Sequence, residues 1–230
     1  MLTKFDPIES RDGAARSQST FAYRAIRGDI LSGRHGPDQK LKIQDLSVEL
    51  IVSPGAVREA LSRLVPEQLV VSRDQRGFAV APLSIEDLED LTDLRCEIEA
   101  MALRRSVERG DANWEAELLA AAHRLGALPL KHTPEWVELH AAFHTALVAA
   151  CGSKRLLNLH TQLYEQSERY RGLSGQYDTG RNIPDEHRQI VAMALARDSK
   201  GLVKAMLDHI RFTTTLIVRS ARAAESSSTA

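Results

Sequence analysis

The sequence predicts a mainly α protein in two parts: a short module of helices closed by a β-hairpin, then a longer antiparallel bundle built of helices alone. Three observations predict it. Strand signals are confined to Leu69–Ala81, while the rest of the chain carries apolar residues at helical spacings. Aromatics are 5% of the 230 residues, and alanine and leucine dominate the second half, as expected where helix packs on helix. Ala81-Pro82-Leu83-Ser84 then reads as a boundary, because proline stops a strand and Ser84 with Asp87 caps a new helix. The domains so drawn are a flexible N-terminus at 1–17, a first module at 18–82, an all-α domain at 83–223 and a disordered tail at 224–230.

In the first module a helix is expected over Ser19–Leu31, with Phe21, Ala25, Ile26 and Ile30 inward and Gly33 and Gly36-Pro37 ending it. A short amphipathic helix, Ile43–Leu50, leads into a tight turn at Ile51-Val52. Ser53 as N-cap and Pro54 at the first helical position open a third helix, whose inner face is Val57, Leu61 and Leu64. Leu69–Arg73 and Gly77–Val80 flank Asp74-Gln75-Arg76-Gly77, which suits a type I turn. Three helices and a ribbon describe a winged helix-turn-helix, whose third helix fits the major groove of double-stranded DNA. Ser53, Gly55, Ala56 and Arg58 lie where such a helix meets base edges, and Arg76 and Gly77 lie at the wing tip near phosphates. Arg24, Arg27, Lys40 and Lys42 are candidates for backbone contacts, and read equally well as solvated charges. One such module makes few base contacts, so a homodimer on an inverted repeat is expected.

After the boundary, Ile85, Leu88, Leu91, Leu94, Ile98 and Met101 form an apolar stripe on a long helix. Further helices are expected at about 112–125, 134–150, 154–173, 184–197 and 200–222. On the one starting at Pro134, the inward stripe is Trp136, Val137, His140, Phe143, His144, Leu147 and Val148. His140 and His144 are four apart and share one helix face. His187 aligns with Ile190, Val191 and Ala194, and His209 with Met206, Ile210 and Thr213. Several buried imidazoles need something to satisfy their lone pairs, and a divalent metal does so. Periodicity alone leaves open that they only pack the core.

Composition excludes other classes. Hydrophobic residues at 43% and charged residues at 27% are those of a packed chain. No run reaches the roughly 18–20 apolar residues of a membrane span, and Met1–Arg16 has no apolar core of a secretory signal. Cys96 and Cys151 are the only cysteines, which argues against a disulfide scaffold and for a cytoplasmic protein. Residues 1–82 carry 12 Lys and Arg against 10 Asp and Glu, and the remainder 18 against 21, an asymmetry too small to identify a partner. His140-Ala141-Ala142-Phe143-His144 has metalloprotease spacing, but Ala141 stands where such an enzyme needs its glutamate. No nucleophile triad or phosphate-binding glycine loop appears, so a His-rich metal-dependent enzyme is the disfavoured alternative. An effector-free DNA-binding protein with structural histidines is the other.

The residues Val52-Ser53-Pro54-Gly55-Ala56-Val57-Arg58-Glu59-Ala60-Leu61 and Arg76-Gly77-Phe78-Ala79-Val80, with Ala25-Ile26, Leu41, Leu46, Leu64 and Leu69-Val70, resemble the DNA-binding domain of GntR-family transcription regulators. Asp38 and Ile51 stand where that family usually has glycine, Pro54 where many members have an arginine that touches DNA, and Gln44 at another contact position. From about Ser84 to Thr215, Leu91–Glu99, Phe143-His144, Asp185-Glu186-His187-Arg188, Ala196-Arg197-Asp198 and Asp208-His209-Ile210 resemble the helical ligand-binding domain of the FadR subfamily, the FCD domain. The resemblance implies a metal site of three histidines and an aspartate or asparagine, which fall at His144, His187, His209 and position 140, here His140. A nitrogen-only donor set points to zinc or nickel. The resemblance further implies a small carboxylate effector and repression. Arg95 is the candidate to pair with the effector, the alternative being an Arg95–Glu99 pair on a partly exposed face. Arg169, Tyr170 and Arg171 could line a pocket or form a solvated helix end. An effector in the bundle is expected to shift the DNA-binding modules of the dimer.

Overall fold

The computed structural model describes residues 8–73, 76–129, 133–173 and 181–228. They belong to two compact units that divide between Leu83 and Ser84. The first holds α1 (Ile8–Leu31), β1 (Lys40–Leu41), α2 (Ile43–Leu50), α3 (Pro54–Leu64), β2 (Val70–Arg73) and β3 (Gly77–Val80). α1 begins at Ile8 rather than near Ser19, because between them only Gly13 opposes the helix formers around it. Its buried line is Ser19, Ala22, Ile26 and Ile30. Phe21, expected inward, sits about 100° round the helix from Ala22 and is 55% exposed. Leu46, Val57, Leu61, Leu64, Val70 and Val80 complete an apolar core with α1.

The sheet is three-stranded and antiparallel in the order β1-β3-β2, with Lys40 opposite Ala79 and Val70 opposite Val80. The sequence showed only the β2–β3 ribbon, since two residues of β1 are too short to show alternation. Arg73 pairs with Gly77, and the Arg76 N–H donates to the Arg73 carbonyl across the wing turn at 2.9 Å. Asp74 and Gln75 of that turn lie outside the described residues. α2 ends at Ile51, whose φ of 55° and ψ of 45° are left-handed. The Ser53 hydroxyl then accepts from the Ala56 N–H at 3.2 Å, and Pro54 fills the first turn of α3.

The second unit contains α4 (Ile85–Arg109), α5 (Ala112–Gly126), α6 (Pro134–Val148), a 3₁₀ turn (Ala149–Cys151), α7 (Lys154–Leu173), α8 (Ile183–Leu195) and α9 (Ser199–Ser228). Ser84, Asp111, Thr133 and Asn182 each accept the N-cap bond their helix start requires. α9 continues through Ala223-Ala224-Glu225 to Ser228, so the tail expected to be disordered is helical that far; nothing there breaks a helix. Leu103, Leu118, Phe143, Leu147, Ile190, Leu202 and Met206 form the centre of the apolar core.

The apolar stripe expected on α4 is corrected. Leu94 and Met101 are 48% and 42% exposed, whereas Arg95, Cys96, Glu99 and Ser106 are buried. Each step of three residues falls about 60° short of a turn, so the row from Leu88 to Leu94 drifts about 120° off the core face. The face it leaves carries the two charged side chains. Among the described residues no helix is long and apolar enough to cross a membrane.

Candidate functional site

On the first unit, Ser53, Gly55, Arg58, Arg76 and Gly77 are exposed, and a side chain built on Gly55 or Gly77 would meet nothing within 4 Å. Gly77 has a φ of 82° that L side chains rarely adopt, so the turn itself requires glycine there. Ala56 is 5% exposed, so its side chain offers little surface to a groove. Of the four other cations, Arg24 and Lys40 are exposed. Arg27 is held by Glu67 at 2.9 Å and Lys42 by Asp45 at 3.4 Å.

The second unit brings His140 and His144 of α6, His187 of α8 and His209 of α9 together. One donor nitrogen of each lies within 4.8 Å of those of the other three, and all four side chains are buried. Burial acts first on their charge states. It pushes His140 and His144 well below the usual histidine range, with the His144 ring next on His140 and the His209 ring next on His144. His187 falls to about 3 and His209 to about 4, again chiefly through burial. Neutral imidazoles offer lone pairs, the form a metal takes. Among the described residues His144 Nδ1, His187 Nε2 and His209 Nε2 have no hydrogen-bond partner, a costly state for buried polar atoms. His140 Nε2 is turned toward His144 Nε2 at 3.1 Å.

Outer groups orient these rings. Glu186 lies 2.8 Å from His209 Nδ1, and by taking that N–H it leaves Nε2 as the lone-pair nitrogen. Arg181 fixes Glu186 through Nε at 2.6 Å and Nη2 at 2.5 Å. Burial opposes ionisation of Glu186, but hydrogen bonds from His209 and Arg181 outweigh it and hold the carboxyl down at about 2. Tyr164 Oη lies 2.7 Å from His140 Nδ1, with Arg171 Nη1 at 3.2 Å. The orphaned nitrogens and the donor set fit a divalent ion of nitrogen preference.

A second polar layer adjoins the histidines. The Arg95 guanidinium sits over the Tyr164 ring at 5.0 Å, and no carboxylate among the described residues hydrogen-bonds to it. The partly exposed face of the intrahelical alternative is corrected, since Arg95 and Glu99 are both buried; Glu99 faces buried His160, Oε2 to Nε2 at 3.1 Å, and feels the Arg95 charge without a hydrogen bond to it. Burial raises the Glu99 carboxyl, yet His160 and Arg95 outweigh it and leave the group below its usual value. Arg171 joins the site beside His140, Tyr170 donates to Asp87 of α4, and Arg169 is buried. Sequence reasoning missed Tyr164, His160, Glu186 and Arg181 as parts of the centre. Tyr164 lies twenty residues past His144 on α7, and only the meeting of helices joins them; Glu186, three residues before Gln189 and next to His187, had a legible signal as an acid beside a candidate ligand.

Comparison with known proteins agrees on both units. The model of the FCD domain matches residues 90–212, and that of the bacterial regulatory proteins of the gntR family matches 18–80. The uncharacterized HTH-type transcriptional regulator BphR of Paraburkholderia xenovorans is 39% identical over 203 residues, 85% of this chain and 83% of that one. The HTH-type transcriptional repressor GlaR of Escherichia coli is 37% identical over 198 residues, 82% of this chain and 90% of that one. Among solved structures, E. coli McbR/YncC shares the fold with a TM-score of 0.76 at 19% identity, over 89% of this chain and 98% of that one.

Proposed function

Since the chain belongs to the GntR family of bacterial regulatory proteins, with an FCD domain as its second unit, it is a DNA-binding transcriptional regulator and not an enzyme, and we propose that it is a metal-containing, acid-responsive repressor. In this reading a dimer binds an inverted-repeat operator, with Ser53, Gly55 and Arg58 at base edges and Arg76 and Gly77 on the backbone. Ala56, largely buried on α3, offers that surface little of its side chain. His140, His144, His187 and His209 hold zinc or nickel.

The observation that carries the sensing half is a buried guanidinium, at Arg95, with no hydrogen-bonded acid among the described residues, beside buried imidazoles of which three carry a nitrogen without a partner there. A bound divalent ion supplies positive charge that attracts a carboxylate and satisfies the imidazole lone pairs. Arg95 supplies a planar pair of N–H donors for the same acid. Tyr164 holds the guanidinium from one face and His140 from its Nδ1 side, so one ring ties the two parts of the site together. A coupling of about 1–3 kcal/mol between effector and operator suffices for regulation.

Elemental analysis of the purified chain, paired with a thermal-shift screen of small mono- and dicarboxylates, tests this. About one zinc or nickel per chain is expected, with a stabilising acid that also changes operator affinity. Absence of metal after purification and reloading, or an acid that binds without altering operator affinity, overturns it.

A further inference from the structure

A cavity of about 650 Å³ lies between α5, α6 and α8, and Arg95, Glu99, His160 and Tyr164 are not among the residues that line it. Its walls include Leu119, Leu125, Trp136, Phe143, Val191 and Leu195. Among the described lining residues the ionisable side chains are His123, His187 and Arg188, and none is a carboxylate. His187 is nine-tenths buried, and its Nε2 has no hydrogen-bond partner among the described residues. Arg188 is exposed and pairs with Asp185 one turn earlier, outside the lining.

We propose that this cavity is a second ligand site, for an amphipathic acid with an apolar body and one anionic head. The volume falls within the roughly 300–1,000 Å³ of small-molecule pockets, and a largely apolar wall with a few placed polar groups is their usual make-up. Charge complementarity selects the head, because the described lining holds His123 and Arg188 and no carboxylate, and Arg188 keeps N–H donors beyond the one it shares with Asp185. The apolar wall selects the body, since a small dicarboxylate would leave it wet. The site also touches the histidine centre from outside. Trp136 stacks on His140 with centroids 4.4 Å apart and planes at 16°, and the Phe143 ring lies 4.8 Å from that of His187. An occupant therefore rests on the two aromatic rings that back the histidines, whether or not they hold metal.

The test uses the full-length chain and anilinonaphthalene sulfonate, which has fused rings and one anionic head. Saturable binding is expected, with quenching of Trp136 and competitive displacement by octanoate but not by acetate. Ala192→Phe, which turns a ring into the cavity from an exposed position, should weaken the probe roughly tenfold, and Arg188→Ala severalfold, with metal content unchanged. Should Ala192→Phe fail to fold, Ala122→Leu fills the same space from the opposite wall. Binding that ignores the filling variant, or displacement by acetate as readily as by octanoate, overturns the proposal. So does a filling variant that changes the association state, which makes the groove an interface between copies. Metal content and operator affinity, read on the same samples, keep this outcome separate from the reading of the histidine centre.

Discussion

The two units place their working residues on opposite sides of the same physical trade. In the first, Ser19 and His35 are the buried polar side chains among the described residues, and the residues proposed to meet DNA, Arg58 and Arg76 among them, are exposed. In the second, Arg95, Glu99, His140, His144, His160, His187 and His209 are all buried within the bundle. An exposed arginine keeps its hydration and costs the fold almost nothing, whereas a buried polar group destabilises unless partners meet it. The first unit therefore needs no ligand to satisfy its proposed binding residues. The second unit carries buried polar atoms that a ligand could satisfy, so its stability should respond to one.

The strongest way to break that contrast is to withhold the ion proposed for the histidine centre. Both tryptophans, Trp114 and Trp136, lie in the second unit, so tryptophan fluorescence follows that unit alone. An ion at a thousand times its Kd stabilises by about 4 kcal/mol, and a domain of this size shifts by about 2–4 °C per kcal/mol. Chelation should therefore lower the fluorescence-detected Tm by about 10 °C. The first unit's transition, followed by circular dichroism, should stay in place. A common shift of both would show that the units do not differ as described.

Acid should expose the same dependence in chelator-treated protein. Unfolded histidines titrate near 6.5, while in the bundle His187 is held at about 3 and His209 at about 4. Between those values the unfolded chain binds more protons than the folded one. Stability is then complete above about pH 6.5 and is lost as pH falls toward 4, by about 2 kcal/mol for His187 alone at pH 5. Fluorescence melts at pH 7, 6 and 5 should fall in step. A flat profile would mean that the rings are already charged or not buried in solution.

The same contrast explains what the sequence made legible. The winged module was readable because its signals are local: Ser53-Pro54 caps α3, and a short turn joins β2 to β3. The histidines were readable because each shares a helix stripe with apolar neighbours, His187 with Ile190 and Ala194 for example. The burial of Arg95 and Glu99 was not legible, for the converse reason. The core face of α4 carries them where apolar residues are expected, so the eye follows Leu94 and Met101 to the outside. Tyr164, His160 and Arg181 reach the centre only through packing of helices distant in sequence, and no periodicity on one helix reports that.

A change on the reader should separate binding from stability. Arg58 is exposed, so Arg58→Ala should leave both melting transitions within about 0.5 kcal/mol of the parent. Operator affinity should nonetheless fall by about 1–3 kcal/mol, the cost of one lost base contact. Titration of a labelled operator checks the second part. Loss of affinity for every sequence alike would place Arg58 on phosphates instead of base edges.

The smallest effect sharpens the contrast from the other side, since it concerns strain that the reader carries on its surface. Asp38 and Ile51, with φ of 60° and 55°, occupy left-handed backbone at the two positions where glycine is usual in the family it belongs to. Asp38 is a short polar residue suited to that region, and its Oδ1 accepts from Arg73 at 2.6 Å. Ile51 is β-branched and 89% exposed, so it has neither the conformational freedom nor buried packing to offset the strain. Left-handed backbone costs an L residue about 1–2 kcal/mol, and glycine returns roughly 0.5–1 kcal/mol of that as lost chain entropy. Ile51→Gly should therefore stabilise the first unit by about 0.5–1 kcal/mol, raising its transition by about 3–6 °C and leaving tryptophan fluorescence melts unmoved. Asp38→Gly should gain less, because it gives up the Arg73 bond. If Ile51→Gly stabilises the unit and weakens the operator complex together, the isoleucine side chain itself contacts DNA, and the strain is retained for that contact.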